Sequence, residues 1–96
     1  MKIVWTKTAL TDLEEIKAYI SMDSVYSALY VVEGILGQVA LLADMPQAGH
    51  RVPESTQENL REIHSMSYRI IYSTSPDGVH ILTVVHMARC ISDFDS

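Results

Sequence analysis

Two strands joined by a forced reversal constrain this chain more than any other feature. Tyr68-Arg69-Ile70-Ile71-Tyr72 and Val79-His80-Ile81-Leu82-Thr83-Val84-Val85-His86 are rich in β-branched and aromatic residues. Ser75-Pro76-Asp77-Gly78 lies between them. Proline presets φ and glycine accepts φ > 0, so the chain turns back and the strands pair antiparallel. In the second strand Val79, Ile81 and Val85 alternate with Leu82 and Val84, so both its faces are apolar. Such a strand belongs in the interior of a sheet, covered on both sides. The same two strands carry Arg69 and His86, and Arg89 follows three residues later.

What precedes the hairpin supplies the cover. Residues 2–5 form a short apolar strand ending at Trp5, and Thr6 or Thr8 can cap a helix behind it. Ala9, Leu13, Ile16 and Ile20 then recur at helical spacing. The polar stretch Ser21 to Ser24 interrupts the pattern, with Asp23 or Ser24 as the next cap. Val25, Ala28 or Leu29, Val32, Ile35 or Leu36, Val39 and Leu42 make a second, longer stripe that Pro46 ends. Gly34 and Gly37 interrupt that helix at about 1 kcal/mol each relative to alanine. Close packing against another element is the expected compensation for both. Residues 46–59 read as loop, Leu60 to His64 as a strand, and Ser65-Met66-Ser67 as a turn. The predicted fold is α+β. A two-helix hairpin packs on one face of a mainly antiparallel four-stranded sheet, in the order β-α-α-β-β-β. The other face is expected to be at least partly open.

Ninety-six residues suit a single domain spanning 1–96. No apolar run reaches about 18 residues, so no membrane span or membrane partner is expected. The N-terminal apolar run is too short for a secretory signal. Cys90 is the only cysteine, so no internal disulfide can form, and a reducing cytoplasm is the expected compartment. Seven Lys and Arg against twelve Asp and Glu give a net charge of −5. That balance argues against broad nucleic-acid binding but leaves room for one local cationic site. Arg61, Arg69 and Arg89, with His64, His80 and His86, make the segment from Arg61 onward the place to look.

The order and spacing of Trp5, Ala9, Asp12-Leu13, Ile16, Tyr19-Ile20, Pro46, Gly49, Leu60-Arg61-Glu62, Tyr68-Arg69-Ile70-Ile71-Tyr72 and His86-x-x-Arg89 resemble the RelE/ParE toxin superfamily over nearly the whole chain. The likeness is closer to the ParE branch. The resemblance implies the toxin of a type II toxin–antitoxin pair, a kind often carried for plasmid stabilization or in chromosomal stress-response loci. It also implies a cognate antitoxin as partner, in a homodimer or a heterotetramer with the antitoxin. ParE-like members poison DNA gyrase by binding; RelE-like members cut mRNA on the ribosome. In the nuclease branch, cations on the central strands neutralise phosphate, and a tyrosine near the C-terminus takes part. Here Arg69 and Arg89 match the two arginine positions. The basic pair of the preceding strand falls on Leu60 and Glu62, and the tail tyrosine falls near Phe94 and Asp95.

Each candidate has an ordinary alternative. Tyr68 and Tyr72 share a strand face with Ile70 and read as half-core aromatics with wet hydroxyls. Arg69 faces the other way, where it could pair with a helix carboxylate such as Glu14 or Glu15. Arg61 points away from the face of Leu60 and Glu62. His80 and His86 share a strand face, roughly 20 Å apart at ~3.3 Å per residue, so they cannot serve one phosphate together. No His or Cys pair has ligand spacing, so neither a metal nor a cofactor is expected. The expected function is gyrase inhibition by binding, with Arg69, His86, Arg89 and Arg61 as the partner-contact surface and no catalytic residue assigned. The alternative is a ribosome-dependent mRNA interferase, an endoribonuclease using Arg69, Arg89 and His64. A degenerate, non-toxic family member is the third reading.

Overall fold

The computed structural model describes residues 1–88. Strand β1 (Ile3–Trp5) leads directly into helix α1 (Lys7–Ser21), and helix α2 (Val25–Asp44) follows after a three-residue link. Then come β2 (His50–Arg51), β3 (Leu60–Ser65), β4 (Tyr68–Ser75) and β5 (Gly78–His86). The five strands form one sheet in the order β1-β5-β4-β3-β2. β1 runs parallel to β5, and every other neighbouring pair is antiparallel. The sheet therefore has one strand more than the sequence predicts. The addition is the two-residue β2, which arises inside the expected 46–59 loop by pairing with Arg61 and Glu62.

The helix starts follow from hydroxyl chemistry. The Thr6 side chain accepts from the Ala9 N–H, and Ser24 does the same for Ser27. Thr6 also donates through Oγ1 to the Ile81 carbonyl at 2.7 Å, which fastens the first helix turn to β5. Asp12 on the next turn accepts from the Val84 N–H at 3.1 Å and from the Thr83 hydroxyl. β1 pairs only with Val79 to Ile81, so Asp12 serves β5 where its partner strand has ended.

α1 and α2 cover one face of the sheet. Ala9, Ile35, Val39 and Leu42 pack there against Ile70, Tyr72, Val79, Ile81 and Val84. A smaller cluster of Val52, Leu60, Ile71 and Val85 occupies the opposite face, with Leu82 against it. β5 thus has apolar cover on both sides, as its composition predicts. The alternation along it does not hold, because the register slips between Ile71 and Tyr72, where the partners are Thr83 and Ile81. Leu82 is the extra residue of a bulge, which reverses side-chain parity beyond it. Val84 therefore faces the helices with Val79 and Ile81. For the same reason His80, opposite Ser73, and His86, opposite Tyr68, lie on opposite faces rather than sharing one.

The two glycines of α2 differ. A Cβ on Gly34 would come within 2.7 Å of Met66 and 3.0 Å of Ser65, so that glycine admits the β3–β4 turn. Nothing lies within 4 Å of the corresponding point on Gly37, and the close packing expected there is not found. By length and composition alone α2 could also cross a membrane. Ala28, Ile35, Val39 and Leu42 pack one stripe of it into the protein, while 22% of its apolar window is buried.

Candidate functional site

The polar residues gather on the sheet face away from the helices. In the β3–β4 ladder His64 stands opposite Arg69 and Glu62 opposite Ile71; in the β2–β3 ladder His50 stands opposite Glu62. Opposed residues share a face, and so do residues two apart on a strand. Glu62, His64, Arg69 and His50 therefore converge. Glu54, from the segment after β2, closes the group.

Arg69 is at its centre and is 6% exposed. Its Nε donates to Glu62 Oε2, while Nη1 and Nη2 donate to the two oxygens of Glu54, each at 2.7 Å. The forked guanidinium matches both carboxylates at once. Its hydrogen bonds to Glu54 come first among the causes that raise its already high pKa; burial opposes them, and Glu62 adds to them. Glu62 is buried as well. One correction follows. The carboxylates facing Arg69 are Glu54 and Glu62, not Glu14 or Glu15 of α1. And Arg69, expected on a partner-contact surface, is buried and paired with two internal carboxylates.

The other expected contact residues are scattered. Arg61 is half-buried, and its Nη1 donates to the Gly49 carbonyl at 2.7 Å. As expected, it faces away from Glu62, on the side of Tyr72. His86 is exposed at the end of β5 and packs edge-on against Tyr68, with ring centroids 5.6 Å apart. Arg89 and Cys90 lie outside the described residues. His80 lies beside Asp77, near the β4–β5 turn.

Two features had no place among the expected sites. The first is the Tyr72 hydroxyl, which is dry rather than wet. It donates to the Pro46 carbonyl at 3.0 Å and accepts from the Gly49 N–H at 2.9 Å. Burial pushes the phenol above its ordinary pKa, while the Gly49 N–H and Arg61 pull it back. Gly49 is required at this crossing, since a Cβ would lie 2.4 Å from the Glu62 carbonyl oxygen. The second is the cluster of His50, Glu62 and His64. Their donor atoms lie within 4.8 Å of one another, close enough to hold a metal ion. The signal was Glu-x-His on a strand, but His50 joins only through β2, a strand with almost no propensity signal of its own.

A third surface is apolar. At the tip of the helical hairpin Tyr19, Met22, Val25, Tyr26, Leu29 and Tyr30 are all exposed, Tyr26 at 89%. Tyr26, Ser27, Leu29, Tyr30 and Glu33 line one shallow depression; Tyr19, Ile20, Met22 and Asp23 line another. Both lie on the helices, across the sheet from His50 and His64.

Comparison with known proteins adds three findings. The profile of a family described as "ParE toxin of type II toxin-antitoxin system, parDE" matches residues 3–90. A protein of Sinorhizobium fredii described as "Putative toxin Y4kP" is 40% identical over 87 residues, covering 88% of this chain and 86% of that protein. Among solved structures, one described as "Chromosomal ParDE TA system from P. aeruginosa" superposes with a TM-score of 0.74 at 24% identity. It covers 90% of this chain and 95% of the other, a likeness of fold.

Proposed function

The chain belongs to the ParE toxin family of type II toxin–antitoxin systems, and on that footing we propose that it inhibits DNA gyrase by binding and is silenced in the cytoplasm by a cognate antitoxin. The observation that carries binding over bond-breaking is the state of Arg69. The nuclease branch places cations on the strand preceding the Tyr-Arg strand. This chain has Leu60 and Glu62 there; Leu60 is core, and Glu62 neutralises Arg69. An arginine held by two carboxylates is poorly placed to stabilise the charge that develops on phosphate in a cleavage step.

The exposed apolar tip of the hairpin supports a protein partner. Tyr26 and Tyr30 present large area at low entropic cost, and patches of this kind mark interaction surfaces. An amphipathic antitoxin segment laid along the helices suits them, and basic residues on it would complement the net charge of −5. For gyrase the proposed contacts are His86, Arg89 and Arg61. A supercoiling assay with purified protein tests this reading. Loss of supercoiling that the antitoxin restores is expected; full supercoiling at excess toxin overturns it.

Ribosome-dependent mRNA cleavage is the second reading, favoured by one observation: His64 stands directly across from Arg69. Toeprinting on translating ribosomes separates the two. Codon-aligned cleavage that vanishes in His64→Ala would establish the nuclease, and its absence supports gyrase.

A further inference from the structure

We propose that His50, Glu62 and His64 form a binding site for a late first-row divalent cation, zinc in particular, which ties β2 and the loop around it to β3. His50 Nε2 stands 3.0 Å from Glu62 Oε1, and His64 Nε2 stands 3.5 Å from the same oxygen. Donors about 2.0–2.1 Å from a tetrahedral zinc ion are roughly 3.3 Å apart. Two edges of the coordination figure are thus in place to within a few tenths of an ångström. The imidazole rings meet nearly at right angles, at 85°, with centroids 5.3 Å apart. The third edge, between the two histidines, lies within 4.8 Å, and the His50 and His64 side chains are 60% and 37% exposed, so both rings have room to swing together onto the ion.

The donor set matches the chemistry. Two imidazoles and one carboxylate make an open zinc site, with a fourth position left for water or a partner's side chain. Nitrogen-rich sets of this kind favour zinc, copper or nickel over magnesium or calcium. The support behind the ligands is already built. Arg69 holds Glu62 through Oε2, which leaves Oε1 for the cation, and Glu54 holds Arg69 from behind. Such outer partners fix the direction of a ligand before the ion arrives. When His50 Nε2 takes the ion, its ring proton sits on Nδ1, and the contact with Glu62 Oε1 becomes an edge of the coordination figure. The site does not depend on whether gyrase is the target.

Calorimetric titration of tag-free, chelator-treated protein with zinc chloride tests it. One ion per chain is expected. His50→Ala and His64→Ala should each weaken binding by more than about a hundredfold, beyond the range of an outer-shell change, and Glu54→Gln by about tenfold, acting through Arg69. Both histidines are surface residues, and circular dichroism checks that the variants keep the fold. Cobalt(II) should give tetrahedral visible bands without a thiolate charge-transfer band, which separates this site from Cys90. No binding by the wild type overturns the proposal. So does unchanged affinity in the His50→Ala/His64→Ala double variant, or a thiolate band.

Discussion

On the helix side of the sheet, Ile70, Tyr72, Val79, Ile81 and Val84 meet Ala9, Ile35, Val39 and Leu42. On the far side, Ile71, Val85, Leu60 and Val52 share the surface with Glu54, Arg69 and Glu62. The first face is held by area and shape, which tolerate a change of similar volume. The second is held in part by matched charges, each of which needs the others. Removing one member of a buried pair strands its partner in low dielectric, whereas replacing both by apolar groups is often harmless.

The largest expected effect tests that asymmetry. Arg69→Ala leaves Glu62 buried without its cation and should cost about 4 kcal/mol in urea unfolding, most of the stability of a small domain. The double variant Arg69→Met/Glu62→Leu should recover most of that loss. If it is as unstable as Arg69→Ala, the charges do more than neutralise one another, and the comparison of faces fails. On the helix side, Leu42→Ala should cost about 3 kcal/mol through the cavity it leaves, and Leu42→Met under about 1.5 kcal/mol. No apolar substitution on that face should behave like Arg69→Ala followed by rescue.

Tyr72 probes where the helix-side core ends in a polar tip. Tyr72→Phe leaves the buried Gly49 N–H without its acceptor and should cost about 2 kcal/mol. Its pH signature is distinct. Burial raises the folded pKa of the phenol above its value of about 10 in the unfolded chain. The unfolded state therefore loses its proton first, and the stability linked to Tyr72 is complete below about pH 10 and lost as pH rises through the folded value. Urea midpoints measured across that alkaline range should fall in the wild type and fall less steeply in Tyr72→Phe.

The two faces were not equally legible in the sequence. The helix side could be read from periodicity, because Ala9, Leu13, Val39 and Leu42 repeat with the helix and the candidate caps, Thr6 or Thr8 and Asp23 or Ser24, bracket its starts to within two residues. The far side could not. Glu54 sits in a segment with no periodic signal, and the strand that brings His50 to Glu62 is two residues long. The direction of Arg69 followed from strand alternation, but its partners depended on how a loop closes over the sheet. The bulge at Leu82 misled in a different way. An unbroken run of apolar residues gives no mark where parity changes, so strict alternation puts His80 and His86 on one face and the bulge separates them. Gly34 and Gly37 looked alike for a similar reason, since only the path of the β3–β4 turn distinguishes them.

The smallest expected effect on stability separates the two sides of α2 itself. Ile35 and Val39 are in the core, while Tyr26 and Tyr30 project from the same helix into solvent. An exposed side chain with no buried partner leaves no cavity when it is changed, so Tyr26→Ser/Tyr30→Ser should alter the urea midpoint by no more than about 0.5 kcal/mol per site. If an antitoxin helix lies on this surface, the same variant should lose affinity tenfold or more, since aromatic anchors at the centre of an interface are worth about 2 kcal/mol or more. Calorimetry with the purified antitoxin reads the second effect and urea unfolding the first. Unchanged antitoxin affinity would move the partner off the hairpin tip, and the exposed Leu10 and Leu36 elsewhere on the helices would be the next residues to change. Loss of folding together with affinity would mean that these tyrosines support the helices, and the division of α2 into a packed side and a binding side would fail.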